Sequence, residues 1–417
     1  MRVGFGVSAL CKGLTGGGLD GIGNYTREML WRMAAAGNVG ATRDLDASGD
    51  SGTLAAAVDA DSALQLVPFA FGCAVPEDLG ARIGGNDPAA AKLIAQQIKP
   101  GIQLGRYSIN TAVSVATGVN FPGIRALSRQ VDLIHATDHY IPKCKSVPMV
   151  ATIMDAIPLS HPHWLRPEFR SVKNMLMKRA ENWADEVITI SDYSKVELSK
   201  WVGIALEKIT VIPLGVDERW FRDVAPFETD RVRAQYQLPE TFFASVGTLQ
   251  PRKNVEGTIN AHRALSPAER LRTPLIIIGR AGWKCEAVMR LIDEDTASGA
   301  VRWLQHVPDA DLLPVLKLAS ALVFPSLGEG FGLPVLEAFA ASVPVITSNT
   351  TSLPEVAGDA AISIDPMDID QIAKGMQRVL EDHELTRELK RRGLARAREF
   401  TWQACADATL KVYQRMV

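Results

Sequence analysis

The sequence predicts an α/β chain of two domains, each organised around a parallel sheet, and three observations lead there. At 417 residues the chain is longer than one ordinary core accommodates, so two domains of roughly 200 residues each are expected. Short apolar runs, each followed by a longer helix-like segment, recur along its length, which is how strands and crossover helices of a parallel sheet alternate. Between Ile212 and Pro239 the chain carries turn residues and no strand signal, which places the linker there.

The elements follow in order. MRVGFGVSALCKG (1–13) opens on a buried strand and not on a signal peptide, because Arg2 is a thin charged region and no A-x-A-like site follows. GGGLDGIGNYTREML (16–30) is a glycine-rich turn running into an amphipathic helix. The stretch from about 40 to 65, rich in Ala, Gly, Ser and Asp, reads as a helix-loop insertion. VDLIHAT (131–137), PMVATIM (148–154), EVITIS (186–191) and KITVIPLG (208–215) continue the first sheet. FFASVG (242–247), PLIIIG (274–279), ALVFPS (321–326) and PVITS (344–348) belong to a second.

Composition narrows the function. The chain is 47% hydrophobic and 22% charged, the balance of a globular protein. A formal net charge of -2 argues against nucleic acid as the main partner. Five cysteines, at 11, 73, 144, 285 and 405, are odd in number, scattered and never in a C-x-x-C pair, which fits a reducing, cytoplasmic setting. No run of about 18 apolar residues exists to span a bilayer.

Three loops have the chemistry to hold phosphate or sugar. The glycine-rich loop at 16–30 brings backbone N–H groups and a positive helix end together, although a turn without phosphate has the same look. GTLQPRKN (247–254) ends in adjacent cations, Arg252 and Lys253, at the carboxyl end of a strand, where open α/β sheets bind ligands; a solvated basic turn fits the same residues. SLGEGFGLPVLEAFA (326–340) sets Glu329 and Glu337 eight residues apart around a Gly-Phe-Gly turn. A helix starting near Leu333 turns its unpaired N–H groups toward the cleft that both carboxylates face. Cations and amides suit a diphosphate, and carboxylates accept hydrogen bonds from sugar hydroxyls.

These loops carry a likeness. VGTLQPRKN (246–254), IIIGRAGWKCE (276–286), LVFPSLGEGFGLPVLEAFAASVPVITSN (322–349) and SLPEVAGDAA (352–361) resemble the family 4 glycosyltransferases, with the E-x7-E element met by Glu329 and Glu337. GIGNYTREML (21–30), LIHATDHYIP (133–142), VITISDYSK (187–195) and VIPLGVD (211–217) match more loosely. The wording is similar to mannosyltransferase-like members that build bacterial polysaccharides.

The resemblance implies the GT-B fold: two Rossmann-like domains facing a central cleft, residues 1–215 on the acceptor side and 216–399 on the nucleotide-sugar side, with the helix 400–417 packing back onto the first domain. It implies that Gly21 offers its N–H to the distal phosphate and that Arg252 and Lys253 neutralise the diphosphate as it leaves. Glu329 is expected to hold donor-sugar hydroxyls, with the backbone of Phe331, Gly332 and Leu333 nearby, and Glu337 to hold the ribose. His135, Asp138 and His139 are expected to line the acceptor side. The implied reaction is retaining hexosyl transfer, mannose from GDP-mannose foremost, to a glycan or lipid-linked acceptor, with no metal and no cofactor.

One position departs from the pattern. Many relatives carry a His-Asp pair after the strand that here ends in ATIMDAIPL (151–159), and the His position is Met154. Asp155 remains, as a catalytic candidate or as a cap for the turn before Pro158. The loss admits a second class of function, a catalytically silent subunit that binds nucleotide sugar, and the fold also serves sugar-nucleotide epimerases.

Other features have plainer readings. The D-x-D pairs Asp44/Asp46, Asp59/Asp61, Asp293/Asp295, Asp309/Asp311 and Asp368/Asp370 are expected to be solvated surface and not a metal site. His161 and His163, in PLSHPHWLRP, are expected to serve a loop. WLRPEFRSVKNMLMKRAENW (164–183) carries Arg166, Arg170, Lys173, Lys178 and Arg179 among apolar residues, which suits either an interfacial helix in peripheral contact with the inner membrane face or an ordinary surface helix.

Overall fold

The computed structural model describes residues 1–16, 19, 21–36, 64–83, 88–164 and 170–417. The insertion expected at 40–65 lies outside the described residues as far as 63, as do Gly17, Gly18 and Asp20 of the glycine-rich loop and Arg166 of the cationic segment.

Two parallel sheets organise the chain. The first contains β1 (Arg2–Gly6), β2 (Gln65–Phe71), β3 (Ile102–Leu104), β4 (Leu133–Ala136), β5 (Met149–Thr152), β6 (Glu186–Thr189) and β7 (Ile209–Val211), in the order β3-β2-β1-β4-β5-β6-β7. The second contains β8 (Phe243–Val246), β9 (Leu275–Ile278), β10 (Val301–Leu304), β11 (Ala321–Phe324), β12 (Val345–Ser348) and β13 (Ile362–Ile364), in the order β10-β9-β8-β11-β12-β13. Both orders reverse direction once, between β1 and β4 and between β8 and β11. At such a switch point adjacent connections leave to opposite faces and open a crevice at the carboxyl ends of the strands.

Four strands carry no clear run in the sequence, for identifiable reasons. β3, β10 and β13 are sheet edges of three or four residues, and β10 includes the half-exposed Arg302. β2 is central, but it contains Pro68, opposite Phe5, and proline within a run argues against a central strand.

The chain crosses between the sheets twice, side by side. Val216 pairs with Thr401 in an isolated parallel bridge, and a Cβ on Gly215 would lie 2.1 Å from the Trp402 nitrogen, so only glycine permits that approach. The last helix, Trp402–Met416, then packs on the helix Gly21–Ala36, with Tyr25 and Trp402 rings 6.3 Å apart. Tyr413 buries its hydroxyl 2.5 Å from His135 Nδ1 on β4.

Contacts across the cleft hold the two halves together. Ser191 and Ser194 donate their hydroxyls to the Gly330 carbonyl, at 2.8 and 3.2 Å. Glu355 accepts from the backbone N–H groups of Asp192 (2.8 Å) and Tyr193 (2.7 Å), satisfying the start of the helix Asp192–Val202 from the opposite domain. Lys284 donates to the His163 carbonyl at 2.7 Å, and the Trp283 indole donates to the Trp164 carbonyl. The segment of His161 and His163 is thus a domain contact, with the His161 ring stacked 4.1 Å from Trp164.

Candidate active site

The turn after β8 is built from close backbone approaches. Gly247 and Gly279 have φ of 143° and 145°, and a Cβ on Gly279 would sit 2.1 Å from the Gly247 oxygen. Asn254, at φ 52°, accepts from the Gly257 N–H at 3.2 Å and starts the helix Val255–Arg263. Between these anchors the short turn Pro251–Lys253 is tied to the loop after β11: Leu327 N–H donates to the Arg252 carbonyl at 2.7 Å, and the Ser326 hydroxyl lies 2.9 Å from the same oxygen.

That bracing brings Arg252, Lys253 and Glu329 into one cluster. Arg252 Nη1 donates to Glu329 Oε2 at 2.6 Å and to the Gly328 carbonyl at 2.9 Å. Lys253 Nζ donates to Glu329 Oε1 at 2.6 Å, and Ser326 donates to the same oxygen at 2.7 Å. Burial works against the Glu329 carboxylate, but the Lys253 and Arg252 charges outweigh it and pull its pKa down to about 2. Burial, with Arg252 alongside, holds the Lys253 ammonium below its ordinary value despite Glu329. Nε and Nη2 of Arg252 make no hydrogen bond among the described residues, so the guanidinium keeps most of its donors for another anion.

The loop then turns into the helix Leu333–Ala340 at Gly332, φ 132°, with no side chain capping the helix start. The Ser352 hydroxyl lies between the Glu329 and Phe331 carbonyls, at 2.9 and 2.8 Å. Phe331 is buried against Phe400. Glu337 makes no direct ion pair among the described residues. Burial raises its pKa to about 7, Arg219 opposes, and Asp309 and Asp217 reinforce the rise. The Lys253 charge acts on both glutamates.

On the facing domain, Asp155 reaches across. Its Oδ1 accepts from the Ile157 N–H at 2.9 Å, the capping bond of the turn, while its Oδ2 lies where a Cβ on Gly330 would come within 3.1 Å. Burial raises its pKa, against the pull of His139, the Ile157 N–H and Arg252. Met154 is buried among core residues, and its carbonyl lies near Gly330. Asp138 accepts from the Tyr140 N–H at 2.7 Å. Gly21 is exposed at the first position of its helix, and no described residue lies within 4 Å of where a Cβ would stand.

His135 corrects the sequence reading. It has no exposed surface, and it bridges Tyr413 and Thr152, the latter at 2.8 Å from Nε2. Burial depresses its pKa to about 3. It joins the last helix to the first sheet and does not line the cleft. The side chain of His139 is 25% exposed, and the Asp155 carboxylate acts on its charge.

Two of the D-x-D pairs also depart from expectation, because Asp295 and Asp311 are buried and not solvated. Asp295 takes Arg263 at 2.7 Å and Arg270 at 2.9 Å; Asp311 takes Arg231 at 2.5 Å and the Tyr236 hydroxyl at 2.6 Å. Asp368 starts the helix Ile369–Glu381. Asp44, Asp46, Asp59 and Asp61 lie outside the described residues. Partners missed in the sequence are Ser326, Ser352, Glu181 and Glu355, all of which matter through contacts with distant residues.

Residues 227–396 match the family model of glycosyl transferases group 1, and 114–220 match that of glycosyltransferase family 4. The chain is 37% identical over 229 residues to an O-antigen chain mannosyltransferase B of Escherichia coli, covering 55% of this chain and 60% of that one. It is 32% identical over 304 residues to a glycogen synthase of Mycobacterium tuberculosis, covering 68% of each. A sucrose-phosphate synthase structure from Thermosynechococcus elongatus superposes with a TM-score of 0.68 at 18% identity, over 100% of this chain and 98% of that one. The chain belongs to the family 4 glycosyltransferases and has their GT-B fold.

Proposed function

We propose that this chain transfers mannose from GDP-mannose to a glycan or lipid-linked saccharide acceptor in bacterial polysaccharide biosynthesis, with retention of configuration and without a divalent metal. The observation that carries the reading is the buried cluster of Arg252, Lys253 and Glu329 at the switch point of the second sheet. Charge develops on the departing diphosphate, and preorganised cations in a closed cleft are the strongest means of stabilising it. Arg252 offers Nε and Nη2, Lys253 adds its ammonium, and the helix starting at Leu333 adds unpaired N–H groups. Glu329, ionised and held from three sides, accepts from donor-sugar hydroxyls, and Glu337 from the ribose.

The GDP-mannose assignment follows from the likeness to mannosyltransferases. A panel of GDP- and UDP-sugars, with the product anomer read by NMR and the rate compared with and without EDTA, tests it. Turnover of GDP-mannose to an α-linked product, unaffected by EDTA, is expected. Faster turnover of a UDP-hexose, inversion, or loss of rate with EDTA overturns the corresponding part, and donor binding without turnover supports a silent subunit.

A lipid-linked acceptor places the enzyme on the cytoplasmic side, in peripheral contact with the membrane. Among the described residues no helix is long and apolar enough to cross a membrane. Lys178 and Arg179 are exposed beside Met175, which is 49% exposed, while Met177 faces inward. Co-sedimentation with anionic vesicles at low salt tests the contact, and its absence removes it.

A further inference from the structure

His139 follows β4 at its carboxyl end, and its backbone and its ring are each held there. The Tyr107 hydroxyl donates to the His139 carbonyl at 3.1 Å and also bonds both backbone groups of Ile141, so the backbone cannot swing. The ring is held by a 2.8 Å bond between Nδ1 and Glu181 Oε1. With Nδ1 engaged, Nε2 makes no hydrogen bond among the described residues, and a quarter of the side chain is exposed.

Glu181 is an unusual partner. Its side chain has no exposed surface, and Oε2 is buried without a hydrogen-bond partner among the described residues. A buried carboxylate held by one bond is unfavourable as structure alone, since its remaining lone pairs are desolvated and unsatisfied. Its one evident task is to hold the imidazole protonated at Nδ1 and turned outward. Burial works against the charged ring, but the Glu181 bond and charge, with Asp155 and Asp138 nearby, outweigh it and raise the His139 pKa. The charge of His139 acts in turn on Asp155, whose Oδ2 lies against Gly330 of the donor-side loop.

We propose that His139, oriented by Glu181, contacts substrate across this cleft, its Nε2–H donating to a sugar oxygen beside the Asp155 carboxylate. A donor and an acceptor set side by side recognise a hydroxyl, which needs both. His139 is then a catalytic residue, and Glu181 a positioning residue that acts through it. The proposal rests on the glycosyl-transfer reading above.

Among the described residues, the charged groups acting on the ring are Glu181, Asp155 and Asp138, and the Tyr107 hydroxyl bonds the backbone beneath it. The test uses the full chain with GDP-mannose, following its hydrolysis and transfer over pH 5.5 to 9 for the wild type, His139→Gln and Glu181→Gln, with GDP binding measured by calorimetry. At least about a tenfold drop in kcat is expected for His139→Gln, the size of one lost charge-assisted hydrogen bond, with GDP affinity unchanged. In the wild type, rate falls as pH rises through the His139 pKa. In Glu181→Gln that limb moves to lower pH and in His139→Gln it disappears. Rates within twofold and superimposable pH profiles in both variants, beside an active wild type, overturn the proposal alone. A wild type that turns over no nucleotide sugar overturns the transferase reading and this proposal with it.

Discussion

The ring of Trp164, from the first domain, lies against Gly328 of the second so closely that a Cβ on Gly328 would come within 2.4 Å of Cζ3. The glycine preceding Glu329 therefore acts as a socket for the opposite domain. Gly328→Ala is expected to push the ring out, at a cost of about 1–3 kcal/mol for an overpacked contact. It should lower kcat/KM by about tenfold or more, because a shift of the order of 1 Å disturbs positioning. Small-angle scattering should show a larger radius of gyration, and an unchanged radius with unchanged turnover would remove Trp164 from domain closure.

The charge cluster makes a different prediction. Lys253→Ala and Glu329→Ala should each reduce turnover by about 10²-fold or more. They should not be equal in stability. Both residues are largely buried, so Glu329→Ala leaves two cations unneutralised, a loss of about 3–5 kcal/mol, whereas Lys253→Ala leaves Glu329 paired with Arg252. Chemical denaturation of the two variants checks the order, and near-normal turnover in either removes that residue from the chemistry.

Glu337 carries a pH dependence of defined sign. Its folded pKa, about 7, lies above the ordinary 4.5, so ionising it destabilises the fold, a cost that is absent below about 4.5 and complete above about 7. Glu337→Gln should therefore stabilise the ligand-free protein at pH 8, by about 1–3 kcal/mol, and change little at pH 4. If the carboxylate holds the ribose, GDP affinity should rise with pH through 7 in the wild type and be flat in the variant. Parallel curves would exclude that role.

His135 should behave as structure. Its neutral form is the folded form, so its contribution is complete above pH 6.5 and is lost as pH falls toward 3. His135→Ala removes bonds to both Tyr413 and Thr152 and should cost about 2–4 kcal/mol, with kcat nearly unchanged in the folded fraction. A large fall in kcat at full stability would return His135 to the site.

Asp155 separates two roles on its two oxygens. Asp155→Asn retains Oδ1 as an acceptor for the Ile157 N–H and should leave the melting temperature within about 2 °C. The rate should drop if the second oxygen meets substrate. A lower melting temperature at unchanged rate would make Asp155 a cap alone.

Much of this arrangement is legible in the chain because its signals are local. GTLQPRKN and GEGFGLPVLE place glycines, cations and carboxylates at strand ends, and apolar runs mark the inner strands that are buried on both faces. The edges β3, β10 and β13 stay hidden, since a strand of three or four residues with one covered face carries little pattern. His135 and His139 show the limit most clearly. They stand four residues apart around the same aspartate, yet one is a core residue and the other keeps a quarter of its side chain exposed.

Local patterns along the chain already mark the inner strands of the two parallel sheets, the loops that carry the site and the residue types within them, because backbone geometry and hydrophobic period act over a few residues. Which partners those residues take depends on how distant segments pack. Glu329 meets Arg252 and Lys253 from 76 or 77 positions away, His135 meets Tyr413 from 278, and His139 meets Glu181 from 42. Such contacts are set by the order of strands at two switch points and by a chain that crosses back at Gly215, and neither is written in any local pattern.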